Sequence, residues 1–360
     1  MSPHIENITS FEFDRGEVII DVRSPSEFNE DHALGAINLP VLSDSEFQRI
    51  GTIYKEVSPF EASKVGAALV AKNISKHLEE FFCDKPHTRK FVFYCARGGK
   101  RSRSMAQVCS MVGWSTGVVE GGYRAYRRQV MSGIEELSEG LKLVLVGGKT
   151  GTGKTAILDL LKGKGCSVLN LEELAVHRGS LLGAHKDLEQ PAQKLFETRL
   201  FEKLKNFNDE EIIFAEAESN KIGRLFIPVA LWKKMKEAPI FIIENQIEHR
   251  VNYILDEYDP HFLKEEAIPN LLSFFDKKSS AVDTAKLRNF VQEKKWEEFV
   301  QDVLIRHYDP LYQHAISKRT ASIIKWLEID QPVEHSLDSV CSELIASCST
   351  YWQSPNNASS

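Results

Sequence analysis

The 360-residue chain has no run of about eighteen uncharged apolar residues, so it is not expected to cross a membrane as a helix. Its opening stretch, MSPHIENITSFEFDRGEVII, carries acids where a secretory leader has a basic segment followed by an apolar block, so no leader is expected. The six cysteines lack CxxC or CxxH spacing, which argues against a disulfide framework or a structural zinc site. A reducing cytoplasm is then the expected compartment, where a thiol can stay reactive. No internal repeat is present. The net charge of −6 lacks the overall positive excess of many nucleic-acid binders. What remains is ordinary for a soluble globular protein, with 42% hydrophobic and 27% charged residues. The length exceeds one ordinary core, so two domains are expected.

The charge is unevenly spread. Between Lys85 and Arg128 stand ten Lys or Arg and one acid, Glu120. A local basic surface attracts polyanions whatever the global charge, although such a run is also what a solvated helix face looks like. Strand-like segments alternate with helix-like ones over residues 1–135: EVIIDV, a short capped helix in SPSEFNEDH, GAINLP, a helical stripe over 61–82, KFVFYC, a helix ending at Gly113, TGVVE, and a helix after a Gly pair. This alternation implies a mainly parallel sheet with ligands at the carboxyl ends of the strands. SGIEELSEG (132–140) reads as a linker. The pattern restarts with LKLVLVGG, SVLNL, EIIFAE and APIFIIE over 136–250, the P-loop domain. Residues 251–350 read as helical, and 351–360 as a disordered tail.

Cys95 ends the strand KFVFYC and enters the loop ARGGKRS. Gly98 and Gly99 permit the backbone turns that aim amides at a sulfur, a helix N-terminus follows, and Arg97, Lys100 and Arg101 add charge. Such a loop is expected to depress the thiol pKa and to hold a thiolate, a persulfide or an oxyanion. The other cysteines lack a cationic loop and read as small buried hydrophobes. The second chemical motif is GKTGTGKT, which satisfies G-x-x-x-x-G-K-[ST] between an apolar strand and a helix. Gly148, Gly151 and Gly153 shape a loop whose amides wrap a diphosphate, Lys154 reaches its oxygens, and Thr155 can ligate Mg²⁺. Glu216 or Glu218 is the candidate acid after the strand IIFAE, and no water-orienting residue is apparent. A diphosphate-bearing substrate therefore fits as readily as ATP. His177 and Arg178 in HRGSLLG, Arg224 in ESNKIGRLFIP, and Arg250 in NQIEHRV are further candidate ligand contacts, and HYDPLY interrupts the C-terminal helices.

DVRSPSEFNEDHALGAINLP, the Cys95 loop and VVEGGYRAYR together resemble a rhodanese domain, a family whose loop cysteine carries sulfur as a persulfide. The loop here is one residue longer than the common C-x-x-G-x-R-S form. Its C-x5-R length is that of dual-specificity phosphatases, although Tyr94 stands where those enzymes usually carry His. A rhodanese-like unit followed by a P-loop unit with HRGS, QP.Q..FE, ES..IGR, AP.....EN...RV and HYDPLY resembles the bacterial tRNA 2-selenouridine synthase family over residues ~5 to ~320. That resemblance implies an α/β fold, a rhodanese-like parallel-sheet domain followed by a P-loop NTPase-like α/β domain with a helical C-terminal region. It implies a transferase that geranylates the wobble 2-thiouridine of tRNA with geranyl diphosphate and then replaces the S-geranyl group with selenium from selenophosphate. No tightly bound cofactor is implied, and Mg²⁺ is a possible companion of the diphosphate. The expected partners are thiolated tRNA and a selenophosphate-producing enzyme, with no membrane. The Lys85–Arg128 surface and Lys318, Arg319 and Lys325 are expected to hold tRNA phosphates. The rival readings are a plain sulfurtransferase, a nucleotide-binding regulatory protein with a rhodanese docking module, and a phosphatase.

Overall fold

A computed structural model describes the chain apart from residues 1–3, 14–15, 178–187, 209, 218, 258–267, 278–282, 320, 330–332 and 354–360. The chain divides into two compact units, Met1–Gly133 with Ala192–Phe201, and Ile134–Pro191 with Glu202–Ser360.

The first unit is built on five parallel strands, β1 (Ile5–Ile8), β2 (Glu17–Asp21), β3 (Ile37–Asn38), β4 (Lys90–Tyr94) and β5 (Ser115–Val119), in the order β1-β5-β4-β2-β3. β4 is central, and Phe91, Val92, Phe93 and Tyr94 are all buried, as a strand covered on both faces requires. The helices of this unit are α1 (Pro25–Glu30), α2 (Asp44–Glu56), α3 (Pro59–His77, continued by a π-helical turn, Leu78–Phe82), α4 (Lys100–Val112) and the start of α5 (Gly122–Gly140). Ser24 and Glu27 form a reciprocal capping box that starts α1. Phe82 packs edge-on against Phe91 at 4.9 Å, and Trp114 closes the same cluster. Phe82 and Phe91, both fully buried, each contribute about 2–3 kcal/mol of transfer free energy.

The second unit carries β6 (Lys142–Gly148), β7 (Ser167–Leu169), β8 (Ile212–Glu216), a small antiparallel pair β9 (Lys221–Ile222) and β10 (Leu225–Phe226), β11 (Ile240–Asn245) and β12 (Ile323–Ile329). Its main sheet is parallel in the order β12-β11-β6-β8-β7, with β6 at the centre. Around it lie α6 (Lys154–Gly163), α7 (Leu171–Ala175), the end of α8 (Gln193–Lys205), α9 (Val229–Glu237) and α10 (Ile247–Glu257). They are followed by α11 (Ile268–Lys277), α12 (Thr284–Gln292), α13 (Trp296–Val303), a π-helical turn (Leu304–Tyr308), α14 (Asp309–Ser317) and α15 (Val333–Gln353). A separate apolar cluster, including Ile254, Leu271, Phe275, Leu287 and Phe299, holds the helices after β11 together.

The structure differs from the sequence reading in three places. The expected linker 132–140 is the second half of α5, because Val130, Ile134 and Ser138 recur at four-residue spacing and are buried. The region read as wholly helical contains β12, whose IIKWLEI pairs with β11 along its length. Only Ile329 of that strand is fully buried, so an edge position hid the alternation that marks a strand. Residues 192–201, read with the P-loop domain, belong to the first unit. There Arg127 bonds Thr198 and pairs with Glu197, and Gly133 has no room for a Cβ against the Phe201 ring.

Candidate functional sites

Cys95 leaves β4 at its carboxyl end and is 3% exposed. The loop curls over the sulfur: the Gly99 amide donates to Sγ at 3.2 Å and the Ser102 hydroxyl at 3.3 Å. Burial pushes this thiol up. The Ser102 hydroxyl and the amides of Arg97, Ser102 and Gly99 more than offset that, so Cys95 titrates below the ordinary thiol range. The contrast within the chain is sharp, since burial pushes Cys109 and Cys348 up to about 12 and Cys341 up to about 11. The loop is pinned from below by the start of α5, where the Tyr123 amide donates to Cys95 O at 2.8 Å and the Arg124 amide to Ala96 O. Gly98 (φ 64°) and Gly122 (φ 53°) make this approach sterically feasible. A Cβ on Gly122 would lie 2.1 Å from Cys95 O, and one on Gly98 would lie 2.4 Å from Val119 O.

The cations around this loop divide into two groups. Arg101 does not face the sulfur freely: it pairs with Glu27 at 2.8 Å and lies over the Phe47 ring. Lys85, Lys90 and Arg127 are also ion-paired, and Arg89 and Arg103 bond Gly16 O and Asn7. Arg97, Lys100, Arg124 and Arg128 are exposed and have no acidic partner among the described residues. Two of these stand on the Cys95 loop and its helix start, and two on the first turns of α5. The depression of the thiol therefore rests on hydrogen bonds at the sulfur, which sequence reasoning had shared with the charges. Ser102 was missed as a functional residue, although its place directly after the C-x5-R spacing was the available signal.

At the second site β6 runs into the loop Gly148–Thr155, with Gly151 (φ 85°) and Gly153 (φ 77°) in the left-handed region. Gly153 starts α6. The Lys154 ammonium rests on Gly148 O at 3.0 Å and Lys149 O at 3.4 Å, so it already lies over the loop that would receive an anion. The Thr155 hydroxyl donates to Glu216 at 3.0 Å and reaches Glu172 at 3.4 Å. Glu216 is buried directly behind the threonine, and with Thr155 and Glu172 it supplies the hard oxygen donors that Mg²⁺ prefers. Glu172 was not foreseen, because it comes from α7 and meets Thr155 only through folding. Glu218 and Arg178 lie outside the described residues.

His177 lines the cleft in front of the loop and is buried. Arg250 does not line it. Its Nε donates to Thr150 O at 2.8 Å, and its two terminal nitrogens form a bidentate pair with Asp309 at 2.6 and 2.9 Å. At 2% exposure it braces the phosphate loop from behind, and the expected direct anion contact gives way to that support. Arg224 is exposed and its amide and guanidinium engage Gln190, away from the cleft walls. Lys325 pairs with Glu343, and Arg319 donates to Met235 O and Ala238 O, so neither is a loose phosphate contact.

The loop opens into a cleft of about 1240 Å³. One wall is polar, with Lys154, Thr155, Asn170, Glu172 and His177. Beyond the glycines the lining is mainly apolar and aromatic, with Trp232, Met235, Ile254, Val303, Leu311 and Ile316, and carries Lys236, Lys318 and Arg319 among them. No helix among the described residues is long and apolar enough to cross a membrane.

Residues 11–129 match the rhodanese-like domain family, and residues 141–270 match the tRNA 2-selenouridine synthase AAA domain. A tRNA 2-selenouridine synthase of Psychromonas ingrahamii is 30% identical over 84% of this chain and 88% of its own length. Proteins of the same name from Nitrosomonas europaea and Bdellovibrio bacteriovorus are 33% and 35% identical. Those two matches take in 67% and 68% of this chain and 63% and 65% of the relatives, so the chain spans just under two thirds of their length.

Proposed function

The chain belongs to the tRNA 2-selenouridine synthase family, and from that membership we propose that it converts the wobble 2-thiouridine of tRNA to 2-selenouridine in two steps, one at each loop. In the first, the thiocarbonyl sulfur attacks C1 of geranyl diphosphate. The C1–O bond breaks, its electron pair leaves on the diphosphate, and the base releases its N3 proton to water. Lys154 and the amides of Gly148–Thr155 stabilise the departing charge. Mg²⁺ held by Thr155 with Glu216 and Glu172 would add a Lewis acid on the same oxygens. S-alkylation is what makes the sulfur a leaving group. In the second step the selenium of selenophosphate adds at C2 and geranylthiol departs with a proton from water. Water then cleaves the Se–P bond, which releases inorganic phosphate and leaves the 2-selenouridine. The Cys95 loop binds the selenophosphate anion there, with Cys95 positioning it.

The observation that carries the geranyl reading is the apolar, aromatic chamber continuous with the phosphate loop. A diphosphate with a hydrocarbon tail has one polar and one greasy half, as this cleft does. Removing a C10 tail from water favours binding at roughly 0.8 kcal/mol per buried CH₂. The depressed thiol of Cys95 supports the second step, and the four unpaired cations around it supply sites for tRNA phosphates.

The test is mass spectrometry of nucleosides from thiolated tRNA incubated with geranyl diphosphate and selenophosphate. Wild type is expected to yield 2-selenouridine, Lys154→Ala to leave the thiouridine, and Cys95→Ala to stop at the S-geranyl nucleoside. Untouched thiouridine with wild type, while tRNA still binds, overturns the proposal.

A further inference from the structure

Tyr312 stands at the junction of the two halves of the cleft. It shares one face of α14 with Leu311, Ala315 and Ile316, all lining the apolar chamber. Its hydroxyl, however, points at the root of the phosphate loop: a Cβ placed on Gly147 would lie 3.1 Å from it. Gly147 precedes Gly148, whose carbonyl holds the Lys154 ammonium. The Tyr312 hydroxyl is buried; the Gly148 amide lies against its oxygen as a donor, and its own proton has no acceptor among the described residues. A buried O–H at that position is unfavourable unless a ligand supplies the acceptor. Burial, reinforced by the Glu244 carboxylate, raises its pKa, so at neutral pH it is a proton-bearing donor.

A prenyl diphosphate has one bond at which its charged and apolar halves meet, C1–O. We propose that the Tyr312 hydroxyl is a catalytic hydrogen-bond donor to the diphosphate oxygen that leaves C1. The assignment rests on the geranyl diphosphate reading of the cleft. As the sulfur lone pair forms the S–C1 bond, the C1–O pair collects on that oxygen, and the tyrosine stabilises it without giving up its proton. Lys154 neutralises the outer phosphate oxygens, and Tyr312 serves the reacting one.

The experiment is single-turnover geranylation of thiolated tRNA by wild type and Tyr312→Phe, with geranyl diphosphate varied. Loss of one donor to a developing oxyanion is expected to slow the chemical step on the order of 100-fold. The apparent affinity for geranyl diphosphate should stay near that of wild type, because the loop and chamber are intact. The same variant, given tRNA already S-geranylated together with selenophosphate, should selenate at the wild-type rate. An unchanged Tyr312→Phe geranylation rate overturns the assignment while leaving the geranyl reading standing. So does a loss confined to affinity, or one shared equally by both steps, since each marks a structural role. Failure of wild type itself to geranylate overturns the reading on which the assignment rests.

Discussion

Ser102 shows how one hydroxyl sets the chemistry of a buried thiol. Cys95 and Cys109 are both buried and fourteen residues apart, yet burial pushes one up to about 12 and the donors around the other depress it. Removing the Ser102 donor leaves the desolvation of Cys95 less opposed, so Ser102→Ala is expected to raise the thiol pKa. The sign follows directly: thiolate is present above the pKa, so its onset moves to higher pH and alkylation at neutral pH slows. Iodoacetamide labelling of Cys95 across pH reads this, and an unmoved inflection would refute the role given to Ser102. The cysteine, its glycines and its basic neighbours were readable from the thirteen consecutive letters KFVFYCARGGKRS. The partner of Arg101 was not, because Glu27 lies 74 residues away and meets it only through the capping geometry of α1.

At the scale of elements, the phosphate loop is held by a helix that sequence reasoning had placed as a ligand contact. Arg250 on α10 ties Thr150 O to Asp309 at the start of α14. Removing one partner of a buried ion pair leaves an uncompensated charge, so Asp309→Ala is expected to cost about 3 kcal/mol by chemical denaturation. On the geranyl diphosphate reading of the cleft, it should also weaken binding of that substrate, although Asp309 does not line the cleft. Calorimetric titration checks the second effect, and full affinity in a destabilised variant would separate the brace from the site. The HYDPLY segment thus has two structural uses, Asp309 behind the loop and Tyr312 in front of it. The sequence reading took HYDPLY as an interruption of the helices, but the chain stays helical through it and passes from the π-helical turn directly into α14. Strand β12 escaped notice for a separate cause: an edge strand gains its identity from the neighbour it pairs with, and β11 lies some eighty residues earlier.

Over the whole molecule, a net charge of −6 coexists with four cations, on the Cys95 loop and the start of α5, that have no acidic partner among the described residues. If these hold tRNA, replacing Arg124 and Arg128 by Ala should weaken tRNA binding and lower the slope of log affinity against log salt by about 1.4–1.8. Cys95 alkylation should be unaffected, and an unchanged salt slope would move the tRNA surface elsewhere. The sequence by itself determined the two α/β cores, the order of the two loops, and the residue types that grip anions, because hydrophobic period, glycine spacing and a following helix are local properties of the chain. Only the tertiary structure decided which cations are spent on carboxylates and which stay free, that Arg250 braces the loop, and that the phosphate loop opens onto an apolar chamber. Those outcomes depend on distances between segments remote in sequence, and pairing, burial and enclosure are set by those distances.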